Sequence, residues 1–319
     1  MNKIKKIKRY LHSYTNIHGK TYIVTGANSG LGFSLTKHLL YLGAHVIMAC
    51  RNLNKANQAK NKLLIDYPHA SLSILKYDQA DFESINHFVE KIQSDHIYFD
   101  GLILNAGIFH PKKKMKTRNG FPMTIGTNYV GIFYLLKKLK DTGILDMNKD
   151  RRIIFVGSLA CNKVKVKQIR DILRGKTSYA IKEYAWSKTL LGSLSFELSR
   201  HDKDSILYVQ NHIKVFMMHP GVTSTHIVSS SESSYPNWFS KLAQRVLNVF
   251  VHSPDFASLG MIKLLYDQNM KEHHMLVPRG LFHISGYPKE VLYPKSFTRM
   301  HLSLIKISHE VIMENLKND

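Results

Sequence analysis

Tyr184 and Lys188 are the two side chains whose types and spacing most directly suggest chemistry. Residues at positions i and i+4 of a helix lie on one face, so the phenol and the ammonium would be neighbours. A phenol has an ordinary pKa of about 10, and a neighbouring ammonium lowers that pKa because it favours the phenolate. The pair is therefore a candidate acid–base group that exchanges a proton while hydride moves at an adjacent carbon.

Ser158 and Asn128 are two further polar candidates. Ser158 ends an apolar run typical of a buried strand, and its hydroxyl could donate a hydrogen bond to a carbonyl oxygen as charge develops there. Asn128 lies inside a predicted helix, where asparagine is locally unfavourable, and we expect it to hold a water. The alternatives are a serine that closes a strand-end turn and an asparagine that is a satisfied core amide.

A glycine-rich turn follows the first predicted strand and is followed at once by a helix. Glycine lets the backbone turn tightly and approach a pyrophosphate, whose charge then lies at the helix N-terminus. The spacing is Gly-x-x-x-Gly-x-Gly, which differs from the better-known Gly-x-Gly-x-x-Gly, and a purely structural turn is the alternative. The candidate cofactor residues of this turn are Gly26, Asn28, Ser29, Gly30, Leu31 and Gly32.

The end of the second predicted strand indicates which dinucleotide binds. An acidic residue there would bind the free 2′-hydroxyl of NAD, but neither Asp nor Glu occurs between Gly43 and Ile65. Arg51 stands at this strand end instead, and its planar guanidinium suits a ribose 2′-phosphate. We therefore expect NADP(H) to be preferred over NAD(H), with a solvated arginine near a helix start as the alternative.

These candidate residues are distributed over alternating apolar runs and amphipathic segments. The runs are too apolar for a half-exposed sheet and are typical of parallel strands buried on both faces. Such alternation predicts an α/β protein with a Rossmann-type doubly wound parallel sheet, in three layers (α/β/α). We expect a basic N-terminal extension over residues 1–18 and a single domain over residues 19–319. The predicted strands are Thr21–Val24, His45–Ala49, Ser71–Leu75, Leu102–Leu104, Ile153–Val156 and Lys214–Met218. The predicted helices are Leu31–Leu42, Leu53–Tyr67, Phe82–Ile92, Thr124–Lys140, Tyr179–Arg200, Trp238–Val251, Pro254–Leu265 and Leu302–Leu316.

Taken in order, these motifs resemble the short-chain dehydrogenase/reductase family over roughly Lys20 to Thr225. The resemblance implies that Asn128, Ser158, Tyr184 and Lys188 form the catalytic group, with Tyr184 and Lys188 also contacting the cofactor. It implies an adenine contact at Asp78. It further implies a sheet-stabilising element formed by Asn105, Ala106 and Gly107. It also implies a loop that lies against the nicotinamide, with the residues Pro220, Gly221, Val222 and Thr225.

Within that family, the chain looks most like the retinol dehydrogenase and WW-domain oxidoreductase-like branch. The features that carry this likeness are Ala49-Cys50-Arg51-Asn52 and the long interval between Ser158 and Tyr184. Members of the branch commonly use NADP(H) on apolar alcohols, aldehydes or ketones, including retinoids and steroids. Two departures are Gly157, in place of the first of two usual serines, and the basic stretch Lys163–Lys176.

The charge balance is unusual, with 45 Lys+Arg against 23 Asp+Glu and a net charge of +22. Such a surface attracts anions, although a solvated lysine-rich surface is the simpler alternative. The first fourteen residues could form an amphipathic helix at an anionic membrane surface, whereas no nucleic-acid-binding motif accompanies the charge. The two cysteines, Cys50 and Cys161, support neither a disulfide framework nor a metal cluster.

The sequence thus predicts an NADP(H)-dependent oxidoreductase that acts on a small-molecule carbonyl or alcohol, without a metal. We expect a cytoplasmic protein, with peripheral membrane contact through the N-terminus and assembly as a homodimer or homotetramer left open. The alternatives are a non-catalytic NADP-binding protein and a basic surface-binding protein on the same fold. Three segments are expected to shape the substrate pocket: Phe109–Phe121, Cys161–Tyr179 and Val222–Val251.

Overall fold

Eight strands form one sheet in the computed structural model, which describes residues 3–14, 17–109, 115–146, 150–158, 160–161, 163–176, 180–221, 253–280 and 283–317. Each of the first six strands coincides, within two residues, with an apolar run of the sequence. The strands are β1 (Thr21–Thr25), β2 (His45–Cys50), β3 (Leu72–Lys76), β4 (Gly101–Leu104), β5 (Arg151–Val156), β6 (Ile213–Met218), β7 (His274–Pro278) and β8 (Pro288–Leu292).

The strand order is β3-β2-β1-β4-β5-β6-β7-β8, and β1 to β7 run parallel. This confirms the doubly wound α/β class. One edge differs from the predicted parallel sheet, because β8 pairs with β7 in the antiparallel direction. The strand order reverses between β1 and β4, and a crevice forms at the carboxyl ends of the strands where such a reversal occurs. The candidate site is therefore expected at this edge.

Helices cover both faces of the sheet. Their ranges are α1 (Lys3–Leu11), α2 (Gly30–Tyr41), α3 (Leu53–Asp66), α4 (Phe82–Ser94), α5 (Met123–Ile125), α6 (Gly131–Asp141), α7 (Val166–Leu173), α8 (Ala180–Leu198), α9 (Pro254–Ala257), α10 (Leu259–Tyr266), α11 (Lys295–Thr298) and α12 (His301–Leu316). Alternate strand residues face opposite layers: Ile23 and Ile153 join one buried cluster, and Val24 and Ile154 the other. None of the described helices is long and apolar enough to cross a membrane.

Some elements differ from the sequence-based expectation. The helix predicted over Thr124–Lys140 is divided, because a π-helical turn over Gly126–Val130 separates α5 from α6. The short strands β7 and β8 and the helix α7 were not predicted. A helix was also predicted over Trp238–Val251, which lies outside the described residues.

The basic N-terminal segment packs on the rest of the protein through α1. Its apolar side buries Ile7 and Leu11 in the same cluster as α2 and α10. The Tyr10 ring stacks on Tyr287, with 5.8 Å between the ring centroids. The opposite side of α1 carries exposed cations, so the helix is amphipathic as expected, but its apolar face is covered by the protein itself.

Part of the basic stretch Lys163–Lys176 forms ion pairs with α12. Arg170 pairs with Glu310, and Arg174 pairs with Glu314, each at 2.6 Å. These pairs lie between α7 and α12, which pack against each other. Two arginines of the stretch therefore help to dock the C-terminal helix.

Candidate active site

Hydrogen bonds between the ends of β1 and β4 form the base of the candidate site. The Thr25 hydroxyl oxygen accepts from the backbone N–H groups of Asn105 and Ala106, both at 2.9 Å. The Asn105 carboxamide in turn donates to the Thr25 carbonyl oxygen at 2.9 Å. The two strand ends are thus fixed relative to each other, and the loop after each one leaves the sheet at a defined position.

The glycine-rich turn packs directly on this base. Gly26 has a φ of +67°, in the left-handed region that favours glycine. A Cβ at Gly32 would lie 2.4 Å from the Gly26 carbonyl oxygen and 2.6 Å from Asn105 Nδ2, so no side chain fits there. Helix α2 begins at Gly30, which lines the cleft together with Ser29 and Leu31, and a helix N-terminus in such a position favours a phosphate.

The cleft has a volume of about 600 Å³ and runs from this turn in both directions. Fifteen of the predicted site residues line this cleft. Gly32 and Asn128 do not line it, and Val222 and Thr225 lie outside the described residues. The predicted residues that line the cleft are Gly26, Asn28, Ser29, Gly30, Leu31, Arg51, Asp78, Asn105, Ala106, Gly107, Ser158, Tyr184, Lys188, Pro220 and Gly221.

One end of the cleft is cationic and lies at the start of α3. Arg51 is exposed there, and the side chain of Asn52 caps α3 by accepting the Lys55 backbone N–H at 2.9 Å. Lys55 also lines the cleft, although the sequence analysis did not identify it. Its position four residues after Arg51 at a predicted helix start was the available signal. Asp78 lies on the opposite side, where its carboxylate accepts the Ala80 N–H at 3.0 Å.

At the other end, α8 presents Tyr184 and Lys188 on one face. Lys188 is only 6% exposed, and its ammonium donates to the Val156 carbonyl oxygen at 3.0 Å. Burial lowers the pKa of Lys188 to about 8, because the charged form loses its hydration. The Nζ atom is 5.9 Å from the centroid of the Tyr184 ring.

The pKa of Tyr184 does not follow the expectation that Lys188 lowers it. Burial raises the pKa of Tyr184, and a hydrogen bond with the Ser158 hydroxyl opposes that rise. The reason is geometric: the Lys188 ammonium is directed at the Val156 carbonyl oxygen rather than at the phenol oxygen. In this structure, the hydroxyl that favours the phenolate belongs to Ser158.

Asn128 lies in the π-helical turn and anchors the loop that follows β4. Its Oδ1 accepts from the Ile108 N–H at 2.8 Å, and its Nδ2 donates to the Ile108 carbonyl oxygen at 2.8 Å and to Ser187 Oγ at 3.1 Å. Both N–H groups of the carboxamide and one lone pair of its Oδ1 atom are therefore used within the protein, and the water-holding role stays a prediction. The wide turn explains how an asparagine is accommodated within a helical segment.

Gln79 is a residue of the site that the sequence analysis missed. It is 4% exposed, and its amide donates to the carbonyl oxygens of Ala106 and Thr127, at 3.1 and 2.5 Å. Its carbonyl oxygen accepts from the Tyr77 hydroxyl at 3.3 Å. Gln79 thus links the end of β3, the loop after β4 and the turn that carries Asn128. No local sequence signal distinguishes it from a surface glutamine.

The wall beside Tyr184 is apolar. The Phe109 ring meets the Tyr184 ring edge-on, with 4.6 Å between centroids, and Ile108 lines the same region. Cys161 lies close by as a free thiol, and burial raises its pKa to about 11, so it remains protonated near neutral pH. The reacting end of the cleft therefore offers a hydroxyl pair surrounded by apolar side chains.

Comparison with known proteins agrees with this geometry. Residues 20–170 match the family model described as short chain dehydrogenase. Retinol dehydrogenase 14 of Mus musculus is 33% identical over 224 residues, which cover 66% of this chain and 63% of that protein. The polyprenol dehydrogenase of Homo sapiens is 31% identical over 239 residues, covering 73% of this chain and 68% of that protein.

A solved structure from Mycobacterium paratuberculosis, of an uncharacterized protein, is similar over nearly the whole fold. Its TM-score is 0.71 at 22% identity, covering 95% of this chain and 97% of the other. That likeness supports the fold alone. The chain spans slightly less than two thirds of the length of the retinol dehydrogenase 14 relatives that it matches.

Replacing Gln79 by Leu tests the link between the three loops. Q79L leaves the carbonyl oxygens of Ala106 and Thr127 without their donor, and an unsatisfied buried acceptor is destabilising. We expect the free energy of unfolding to fall by about 2–3 kcal/mol, measured by urea denaturation. Q58L, at an exposed position on α3, is the matched control and should change it by less than about 0.5 kcal/mol. Equal stability of the two variants would contradict the linking role.

Proposed function

Because the chain belongs to the short-chain dehydrogenase/reductase family, we propose that it is an NADP(H)-dependent oxidoreductase acting on an apolar carbonyl or alcohol. The observation that carries this proposal is the cleft of about 600 Å³, which has a phosphate-binding turn at its centre and Tyr184, Ser158 and Lys188 at one end. A dinucleotide laid along it would place its reactive ring beside those hydroxyls. We propose a cytoplasmic setting for this reaction.

The residues present fit the proposed cofactor along its length. Gly26 and Gly30 line the cleft together with Asn28 and Ser29, and the N-terminus of α2 at Gly30 would bind the pyrophosphate. Arg51 and Lys55 line one end of the cleft and would receive a 2′-phosphate, and Asp78, which also lines the cleft, would contact the adenine. When bound, NADP(H) would supply or accept the hydride. Lys188 and the Asn105–Gly107 segment line the cleft as well and would hold the nicotinamide ribose.

The proton that the substrate oxygen gains or loses is assigned to the hydroxyl groups of Tyr184 and Ser158. Tyr184 would donate its phenol proton to the carbonyl oxygen during reduction, and accept the alcohol proton in the reverse direction. Ser158, which is hydrogen-bonded to Tyr184, would polarise the same oxygen. Burial raises the pKa of Tyr184, so the phenol carries its proton near neutral pH, and the hydrogen bond with Ser158 opposes the rise that would make it a weaker acid.

The proposed substrate class rests on the apolar wall at Phe109 and Ile108. The names of two relatives specify retinol and polyprenol, which are both apolar alcohols. A stretch as basic as Lys163–Lys176, which is expected to border the substrate pocket, would disfavour a purely apolar substrate. That objection is weakened because Arg170 and Arg174 are engaged by glutamates of α12.

Removing the Arg51 side chain tests the cofactor preference. R51A loses a charge-assisted contact that only a 2′-phosphate can make, and such contacts contribute about 1.5–3 kcal/mol. We expect the Kd for NADPH to rise about tenfold to hundredfold, with the Kd for NADH changed less than about twofold, both measured by calorimetric titration.

K62A is the control for general electrostatics, since Lys62 is an exposed cation near the far end of the same helix. It should leave both dissociation constants close to those of the wild type. If R51A weakened NADH and NADPH equally, Arg51 would not be the phosphate-binding residue.

Replacing Tyr184 by Phe tests the catalytic assignment. Y184F removes the proton donor and should lower the turnover number by about 10²–10⁴, while the Kd for NADPH stays nearly unchanged. Turnover is measured as NADPH oxidation with apolar aldehydes such as retinal. Y67F, at a half-buried tyrosine on the C-terminal end of α3, is the matched control and should retain activity.

Undiminished turnover in Y184F would reject the assignment. A wild-type protein that binds NADPH but reduces none of a panel of apolar carbonyls would instead favour the non-catalytic alternative.

We also propose that the outer side of α1 makes an electrostatic contact with anionic membranes. Ile7 and Leu11 are buried against the protein, so the helix would lie on the surface without inserting its apolar face. The exposed cations of α1 are Lys5, Lys6, Lys8 and Arg9. Each such charge near an anionic bilayer contributes about 1 kcal/mol.

Neutralising these cations is a cleaner test than deleting the helix, because deletion also removes buried core residues. The variant K5Q/K6Q/K8Q/R9Q should sediment with phosphatidylserine-containing vesicles at least about tenfold more weakly than the wild type. Neutral phosphatidylcholine vesicles should bind neither protein. The control K62Q/K203Q/K271Q/K295Q removes four exposed charges elsewhere; an equal loss there would mean that net charge, not α1, is responsible.

A further inference from the structure

His219 is a buried imidazole that directly follows β6 and precedes the Pro220–Gly221 turn. It is 3% exposed, and its Nδ1 atom accepts the Gly221 backbone N–H at 2.9 Å. Its own backbone N–H donates to the Leu276 carbonyl oxygen at 3.0 Å, which continues the pairing of β6 with β7. The ring thus closes a small turn whose outer residues, Pro220 and Gly221, line the cleft.

The hydrogen bond determines the state of the ring. A backbone N–H can only donate, so Nδ1 is the acceptor and the ring proton resides on Nε2. Burial lowers the pKa of His219 to about 4, and the neighbouring His283, 6.4 Å away between ring centroids, acts in the same direction. The acceptor at Nδ1 therefore persists throughout the neutral range.

Gly221 is held from two sides. Its φ is +79°, and a Cβ there would lie 2.2 Å from the Ile284 carbonyl oxygen, so the residues after β7 close against the turn opposite His219. The carbonyl oxygen of Met218, the residue before His219, accepts the Gly157 N–H at 2.7 Å. Because Ser158 is the next residue after Gly157, the turn has a fixed position relative to the candidate catalytic serine.

The imidazole is present at a cost in stability that an apolar ring would avoid. Nε2 is buried and has no hydrogen-bond partner among the described residues, and an unsatisfied buried donor is destabilising. What histidine provides here, and phenylalanine cannot, is an acceptor at the Nδ1 position for the Gly221 N–H. The role of the residue is therefore connected with the conformation of the turn.

We infer that His219 is a positioning residue, whose Nδ1 atom holds the Pro220–Gly221 turn in the conformation that packs against the nicotinamide half of the cofactor. The inference rests on the proposed function, since it requires a dinucleotide in the cleft. His219 does not touch the reacting atoms. Without the bond to Gly221, the turn would relax, and the nicotinamide end would lose contact surface while the adenosine end kept its own.

Three substitutions separate this role from simple packing. H219N places an amide oxygen the same number of bonds from Cα as Nδ1, so it can accept the Gly221 N–H. H219Q carries the same amide one bond too far away, and H219F fills the space with no acceptor. The exposed variant H69F controls for the loss of a histidine elsewhere.

The experiment is calorimetric titration of each variant with NADPH and with adenosine 2′,5′-bisphosphate, which lacks the nicotinamide half. H219F and H219Q should raise the Kd for NADPH about threefold to tenfold, the value of one hydrogen bond. H219N should restore most of the affinity. The Kd for adenosine 2′,5′-bisphosphate should be the same in all variants, because its contacts lie at the Arg51 end of the cleft.

Several outcomes would overturn the inference. It is wrong if H219F and H219Q bind NADPH like the wild type, if H219N binds as poorly as H219Q, or if both ligands weaken in parallel, which indicates general destabilisation. Should H219F not fold, the H219N and H219Q pair carries the comparison. A wild-type protein that binds neither ligand would refute the proposed function itself, and the inference with it.

Discussion

The geometry of the site depends on one interaction, the hydrogen bond made by the side-chain amide of Asn105. The amide donates to the Thr25 carbonyl oxygen, and so joins the ends of β1 and β4 at the point where the strand order reverses. The Nδ2 atom of Asn105 would lie 3.3 Å from a Cβ placed on Gly26 and 2.6 Å from a Cβ placed on Gly32. Gly32 is thus required by the packing around Asn105, and not only by the approach of a phosphate. Structural support and cofactor geometry are therefore one constraint.

Burial, more than pairing of charges, sets the proton affinities at the reacting end. Lys188 and Tyr184 are both withdrawn from water, and burial shifts each pKa towards the neutral form. The lysine donates to a backbone carbonyl oxygen, which compensates its burial without a carboxylate. The phenol of Tyr184 is hydrogen-bonded to Ser158. The reacting end is consequently held by hydrogen bonds, with no salt bridge to Lys188 from any carboxylate in the part of the chain that the structure describes.

Sequence periodicity predicted the first six strands because each is a compact apolar run, and the Tyr184–Lys188 pair because its contact is local. Among the elements that it missed, β8 lacks such a signal. β8 begins with a proline and is partly exposed along its length, so no alternation marks it. Gln79 and His219 look like ordinary polar residues until distant segments surround them. The partners of Arg170 and Arg174 are about 140 residues away, and only the folded chain brings those charges together.

The C-terminal elements have a consequence for assembly, because they occupy the outer side of α8. Phe297 of α11 packs so closely on Gly192 that a Cβ there would lie 2.5 Å from its ring. The Ser195 hydroxyl is hydrogen-bonded to the Tyr293 hydroxyl at 2.8 Å, and α12 packs along the same helix. The leucines of α8 are buried within one chain, against the sheet on one side and against these elements on the other. A dimer or tetramer built through α8 would have to displace α11 and α12, so self-association, where it occurs, is expected to use another face of the described domain.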